Sequence, residues 1–350
     1  MTRFRLLLSS ILAIGAIAIL NANAGRAPAE DSAGVTPARS FEFTYQVHVP
    51  ANADAAASTH LWIPLPQPDA YQDIRSLHID SPVAYQQGRE PEYGNTYAMF
   101  APTPAQVASG FDVTLRFTAS RREHKVSPDA SAFQKASASS ANDPQMRRYL
   151  EPDKLVPLHG TIAELAKEHT AGDTTPIQKA RHIYEYVVAT MRYDKSGEGW
   201  GRGDAVWACT AKRGNCTDFH SLFIGMMRSS GIPARFEIGF PLPEAKTEGD
   251  IPGYHCWAEF YLDGVGWVPV DASEAWKNPA KHDYFFGAHD TNRVFFTYGR
   301  DIRLSPEQKG DPLNYFIYPY AESNGQPVKN LQTHFAFRNV APSPEVTAGN

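Results

Sequence analysis

The stretch Gly214-Asn215-Cys216-Thr217-Asp218-Phe219 constrains this chain most tightly, because it places a thiol at a turn immediately before an apolar helical pattern. Phe219, Leu222, Phe223, Met226 and Met227 recur at the spacing of one buried helix face. The pattern stops at Gly231, and Pro233 follows two residues later, a normal helix end. Cys216 is therefore expected in the first turn of a helix whose body is buried. Free N–H groups and partial positive charge at a helix N-terminus favour thiolate over thiol, and the thiolate is the nucleophile. A core cysteine without reactivity would fit the same position.

The 350 residues leave room for two or three domains. A hydrophobic fraction of 42% suits globular cores and is too low for a membrane bundle. Arg3 and Arg5, the apolar run Leu6 to Leu20 and the small-x-small site Ala22-Asn23-Ala24 make residues 1–24 a secretory signal peptide, cleaved after Ala24. The run is shorter than a spanning helix needs. No cysteine near the cut suggests a lipid anchor, and no later stretch could span a bilayer. An exported protein, periplasmic or secreted, is expected. Loss of the leader leaves 31 basic against 38 acidic residues, a balance of −7 without any basic run. This argues against nucleic-acid and anionic-membrane partners. The cysteine count is three. If Cys216 is a working thiol, Cys209 and Cys256 remain to pair in an oxidising compartment; three free thiols are the alternative.

Residues 25–40 are rich in Ala, Gly, Pro and Ser and are expected to be disordered. From Phe41 the pattern alternates, and short strand-like pieces follow around Leu61-Trp62-Ile63, Ile74 to Ile79, Tyr97 to Phe100 and Phe111 to Phe117. Residues 41–122 are read as a small antiparallel β domain, a sandwich, with no chemistry of its own. His48, His60 and His78 within it are scattered. Residues 123–149 form a linker, and a second domain covers 150–340, with 341–350 as a loose tail. Helices are expected at about 158–169 and from Pro176 to about Met191. A Gly-rich loop at 196–204 lacks the spacing and the Lys of a phosphate loop. Strands follow at Phe236 to Phe240, Tyr254 to Leu262 and Trp267 to Ser273, then at Val294 to Ile302, Asn314 to Tyr320 and His334 to Val340.

On the first strand of the hairpin His255, Trp257 and Glu259 share a face. A two-residue loop would send Asp271 to the opposite face from His255. A three-residue loop pairs Leu262 with Gly266, sets Asp271 opposite Trp257, and makes His255 its diagonal neighbour. Thiol, histidine and acid together supply a nucleophile, a base that also protonates the leaving group, and an orienting acceptor for the imidazole.

Gly214-Asn215-Cys216-Thr217-Asp218, Gly231-Ile232-Pro233-Ala234-Arg235, His255-Cys256-Trp257-Ala258-Glu259 and Val270-Asp271 resemble, in that order, the core of the transglutaminase-like superfamily, in particular its exported bacterial members. The similarity runs over roughly 150–305. It implies an α+β, papain-like/transglutaminase-like core, a Cys-bearing helix packed on an antiparallel sheet, here preceded by the small all-β domain. It assigns nucleophile to Cys216, base to His255 and acid to Asp271. It implies a thiol enzyme acting on amide bonds of proteins or peptides through a thioester, most simply a peptidase or amidase. A protein-glutamine transglutaminase or deamidase would use the same triad, and a catalytically silent binding module is the alternative from another class. The Cys216 N–H belongs to the expected oxyanion hole; Trp207, Tyr193 and Trp200 are candidates for the second donor. No cofactor is expected. His282-Asp283 and His289-Asp290 carry ligand residue types without tight spacing or a Cys partner, so no metal site is expected, and no calcium loop is visible.

Overall fold

In the computed structural model, residues 37–52, 58–126, 137, 143–305 and 307–341 are described. The signal peptide at 1–24, nearly all of the 25–40 segment, most of the 123–149 linker and all but the first residue of the tail lie outside them.

The element that positions everything else is the helix Cys216–Ser229. Asn215 caps it: the side chain accepts from the Thr217 N–H at 3.0 Å, while the Asp218 carboxylate accepts from the Asn215 N–H at 2.9 Å. This reciprocal box satisfies donors that a helix start otherwise leaves open. Gly214 precedes it because a Cβ there would collide with the Asp218 carboxylate. The expectation of one buried face understates the packing, since every residue from Cys216 to Arg228 is buried. Helices Thr161–His169, Pro176–Thr190 and Ala205–Ala211 cover one side and an antiparallel sheet covers the other. The polar residues this buries are each partnered, as buried polar groups must be. Arg228 donates to Asp153 at 2.8 Å and to the Ala234 carbonyl at 2.9 Å. Ser221 accepts from the buried Arg300 at 2.6 Å.

That sheet runs in the order Gly266–Val270, His255–Leu262, Ala234–Pro241, Arg293–Tyr298. The hairpin register is Leu262 with Gly266 and Ala258 with Val270, which is the odd-length loop that brings Asp271 to the His255 side. The hairpin's second strand ends at Val270, and Asp271 caps a short helix, Ala272–Lys277, instead of continuing the strand to Ser273.

Two five-stranded sheets make up the β part. One has the order Glu248–Asp250, Gln332–Asn339, Ala38–Val49, Phe111–Arg122, Gln72–Asp80; the other has Gln326–Pro327, Tyr320–Ser323, Thr59–Pro64, Thr96–Phe100, Tyr85–Arg89. Three features differ from the expectation. The first strand starts at Ala38, inside the segment read as disordered. The strands Tyr320–Ser323 and Gln332–Asn339, assigned to the second domain, pair with Thr59–Pro64 and Ala38–Val49 of the first. Asn314 to Tyr318 forms no strand. The reason for the second difference is an aromatic layer. Phe335 meets Tyr45 edge-on at 4.7 Å and Phe240 of the four-stranded sheet at 4.3 Å, and Phe296 lies 5.9 Å from Phe43. One apolar core thus runs through both parts.

Truncating Phe335 to Ala removes a ring buried between the parts and is expected to cost about 3–4 kcal/mol. In urea unfolding, tertiary absorbance and protection of the buried cysteines are expected to shift together by that amount. Separate transitions would show that the β part folds independently.

Candidate active site

The first residue of the Cys216 helix meets the first residue of the strand His255–Leu262. His255 Nε2 lies 2.7 Å from Asp271 Oδ2, so Nε2–H donates to the carboxylate and Nδ1 is left to hydrogen-bond Cys216. Asp271 is fully buried and held from several sides. Arg293 Nη1 donates to Oδ2 at 3.1 Å, and Ser273 Oγ and the Glu274 N–H donate to Oδ1 at 3.1 and 3.0 Å. A carboxylate so placed keeps its charge and fixes the ring it faces.

The charges follow from this geometry. Burial pushes Asp271 towards its neutral form, but His255 and Arg293 hold it well below the carboxylate range. Burial works against charge on His255 too; the Asp271 carboxylate and the Cys216 sulfur reverse this and push it up to about 10. Burial also opposes the Cys216 thiolate, yet hydrogen bonds from Cys256 and His255 and the imidazolium charge hold the thiol well below its usual value. Both shifts favour a thiolate–imidazolium pair over the neutral thiol and imidazole. Cys256 is the reverse case, pushed well up by burial and by the neighbouring Cys216 charge, so it stays a thiol that can donate.

His255 also lines a cleft of about 350 Å³ bordered by Pro241, Pro252, Glu274, Lys281 and Asn292. His255 thus faces this cleft, whereas Cys216 is buried and does not line it.

Sequence reading did not single out His220, Arg293, Tyr254 or Asp218. His220 stands one turn beyond Cys216; its Nε2 accepts the Ala272 N–H at 3.2 Å, which leaves Nδ1–H towards Cys256 Sγ at 3.8 Å. Burial keeps this ring neutral. The Tyr254 hydroxyl is bonded to Asn215 Nδ2 at 3.0 Å and Thr217 Oγ1 at 2.8 Å, tying the residue before His255 to the helix cap. Asp218 was visible as the third residue after a capping Asn, and it also accepts the Gly201 and Gly203 N–H groups at 2.7 and 3.0 Å. Arg293 opens the strand Arg293–Tyr298, and no spacing in the sequence ties it to Asp271.

The expected Cys209–Cys256 pair is not formed; all three cysteines are free. The Cys209 thiol donates to the Val206 carbonyl at 3.1 Å within its own helix, whereas Cys256 faces Thr217 and His220. Of the oxyanion candidates, Trp200 spends its N–H on the Gly197 carbonyl at 3.1 Å, and Trp207 lies against Gly199 under Arg213. Tyr193 is the one that feels the Cys216 charge; burial foremost, then that charge, raises its phenol to about 12, with Lys277 over the ring at 4.0 Å.

With this geometry in hand, residues 163–272 match the core of the transglutaminase-like superfamily. The chain carries a transglutaminase-like domain. It is 29% identical over 340 residues to an uncharacterized protein of Haemophilus influenzae, covering 85% of this chain and 89% of that one. A shorter stretch of 79 residues, 20% of this chain and 11% of its relative, is 34% identical to the uncharacterized protein YebA of Bacillus subtilis. Among solved structures, a candidate cysteine protease of Cytophaga hutchinsonii superposes with a TM-score of 0.62 at 14% identity, covering 88% and 93% of the two chains. At that identity the likeness shows the fold. No helix among the described residues is long and apolar enough to cross a membrane.

A low thiol pKa makes alkylation by iodoacetamide nearly flat between pH 8 and 6, whereas an ordinary thiol slows roughly 80-fold over that range. Peptide mapping of Cys216 is expected to show the flat profile. His255→Ala should restore the steep one, because the imidazolium charge and its hydrogen bond are then gone and only the Cys256 contact is left to oppose burial.

Proposed function

We propose that the chain is an exported thiol hydrolase of amide bonds in proteins or peptides, with Cys216 as nucleophile, His255 as acid and base, and Asp271 as orienting acid. The observation that carries this is the 2.7 Å contact between His255 Nε2 and buried Asp271, which leaves Nδ1 for Cys216, with His255 itself lining a cleft. The Cys216 sulfur attacks the carbonyl carbon, and the oxygen takes up the negative charge opposite the Cys216 N–H. The C–N bond then breaks as the Nδ1 proton of His255 passes to the departing nitrogen, leaving a thioester. Water enters, gives a proton back to Nδ1, and attacks the thioester carbonyl; the acid product leaves and Cys216 regains its thiolate. The cleft beside His255 supports water as the second reactant. The leader at 1–24 supports export.

A second reading keeps the thioester and replaces water by an amine. Its support is Glu274, whose carboxylate lines the cleft 3.9 Å from His255 Nε2; Lys277 holds Oε1 at 2.7 Å, which leaves Oε2 to accept from an incoming amine.

The mature protein, incubated with a mixed protein digest and a primary amine beside a Cys216→Ala control, is expected to yield new peptide termini by mass spectrometry. Amine-labelled glutamines would instead establish transfer, and glutamine-to-glutamate conversion alone a deamidase. Identity with the control across substrates would favour a silent binding module. Asp271→Asn should lower turnover by roughly 10⁴-fold while leaving the fold intact, as loss of the orienting acid does in such triads.

A further inference from the structure

A second cluster of chemistry-bearing groups lies on the strand that carries His255, two side chains further along the same face. Glu259 is buried there with His124 and His289. The latter two sit opposite each other in a small antiparallel pair, His124–Lys125 with Ala288–His289. Neither belongs to the triad, and His124 is more than a hundred residues from its neighbours in sequence.

His289 is the telling residue. It is wholly buried, yet neither ring nitrogen has a hydrogen-bond partner among the described residues. An unpaired buried polar group costs about 1–3 kcal/mol, so such a group in a native fold calls for a ligand. One ligand atom from each of His124, Glu259 and His289 falls within 4.8 Å of the other two. His124 Nδ1 and Glu259 Oε1 are already 3.1 Å apart, close to the roughly 3.4 Å that separates neighbouring ligands around tetrahedral zinc.

The surroundings hold these ligands in place. Arg235 Nη2 donates to the other Glu259 oxygen at 2.5 Å, which leaves Oε1 to its histidine side. The Tyr71 ring stacks on His124 at 3.8 Å, and Trp257 walls His289 at 5.8 Å. Outer contacts of this kind orient metal ligands. The nearby guanidinium of Arg293 is committed to Asp271 and Asp290. The exposed trio Glu185, His282 and Asp283 offers no comparable case, because Arg181 already occupies Glu185 and Asp283.

We infer that His124, Glu259 and His289 form a binding site for a divalent transition metal of the zinc type. Two imidazoles and one carboxylate suit zinc, cobalt or nickel and do not suit calcium, which takes oxygen ligands. The ion would fasten the segment after the Phe111–Arg122 strand, and the segment before Arg293, to the strand of the catalytic base. The expectation of no metal site rested on local spacing around His289, and the other two ligands come from distant parts of the chain.

The test uses the mature chain bearing Cys216→Ala, stripped with a chelator and titrated with Co²⁺. The expected result is one equivalent bound, with visible bands of four- or five-coordinate intensity, no thiolate charge-transfer band, and displacement by Zn²⁺. His289→Gln should weaken binding at least roughly 100-fold. Zn²⁺ should raise the melting temperature of the parent and leave that of the variant unmoved. Lack of stoichiometric binding in the parent overturns the inference whether or not the variant folds. So does a thiolate band, which would put the metal on Cys209 or Cys256, and so does binding that survives His289→Gln.

Discussion

The buried carboxylate of Asp271 is the charge around which the rest is arranged. Taking an unpaired carboxylate out of water costs several kcal/mol, so a fold can hold one only if it is surrounded by donors. Here the donors come from separate elements: His255 from the central strand, Arg293 from the edge strand, and Ser273 and the Glu274 N–H from the short helix. Removing any one leaves the others holding a charge they were balanced to share. The same carboxylate charges His255, and His255 in turn charges the Cys216 sulfur. Stability of the sheet edge and ionisation of the thiol are thus one electrostatic problem.

A second carboxylate does the corresponding work at the other end of the site. Asp218 closes the helix cap and takes the N–H groups of Gly201 and Gly203 from the Gly-rich loop. The segment is read in sequence only as a Gly-rich loop without a phosphate-loop pattern, yet two of its amides end on a fully buried side chain. The glycines let the backbone approach that carboxylate closely. At Gly203 a Cβ would meet Ser221, Thr217 and Arg300.

Much of this was legible because it is local or periodic. The thiol at a helix start, the helix limits and the alternating strand at Phe41 follow from spacing. The position of Asp271 relative to His255 followed from one consideration, that side chains alternate faces, which made the loop length decisive; the Leu262–Gly266 pair settles it. Contacts between distant segments were not legible. Arg293 on Asp271, His220 beneath Cys256, and the pairing of Gln332–Asn339 with Ala38–Val49 depend on how separate elements dock, and no residue pattern encodes them. The Cys209–Cys256 pair failed for the same reason: counting leftover cysteines says nothing about which way each one faces.

The strand Gln332–Asn339 lies between Glu248–Asp250 and Ala38–Val49, near the middle of a sheet whose other long strands are made first. A chain synthesised from its N-terminus holds one edge of Ala38–Val49 open until Gln332–Asn339 has emerged. Phe335 arrives with that closing strand and completes the aromatic layer against Phe240, on the strand next to the one that carries His255. A chain that lacks Gln332–Asn339 therefore lacks the packing beneath the strand next to His255. Cys216, His255 and Asp271 are all synthesised before the segment that completes that packing.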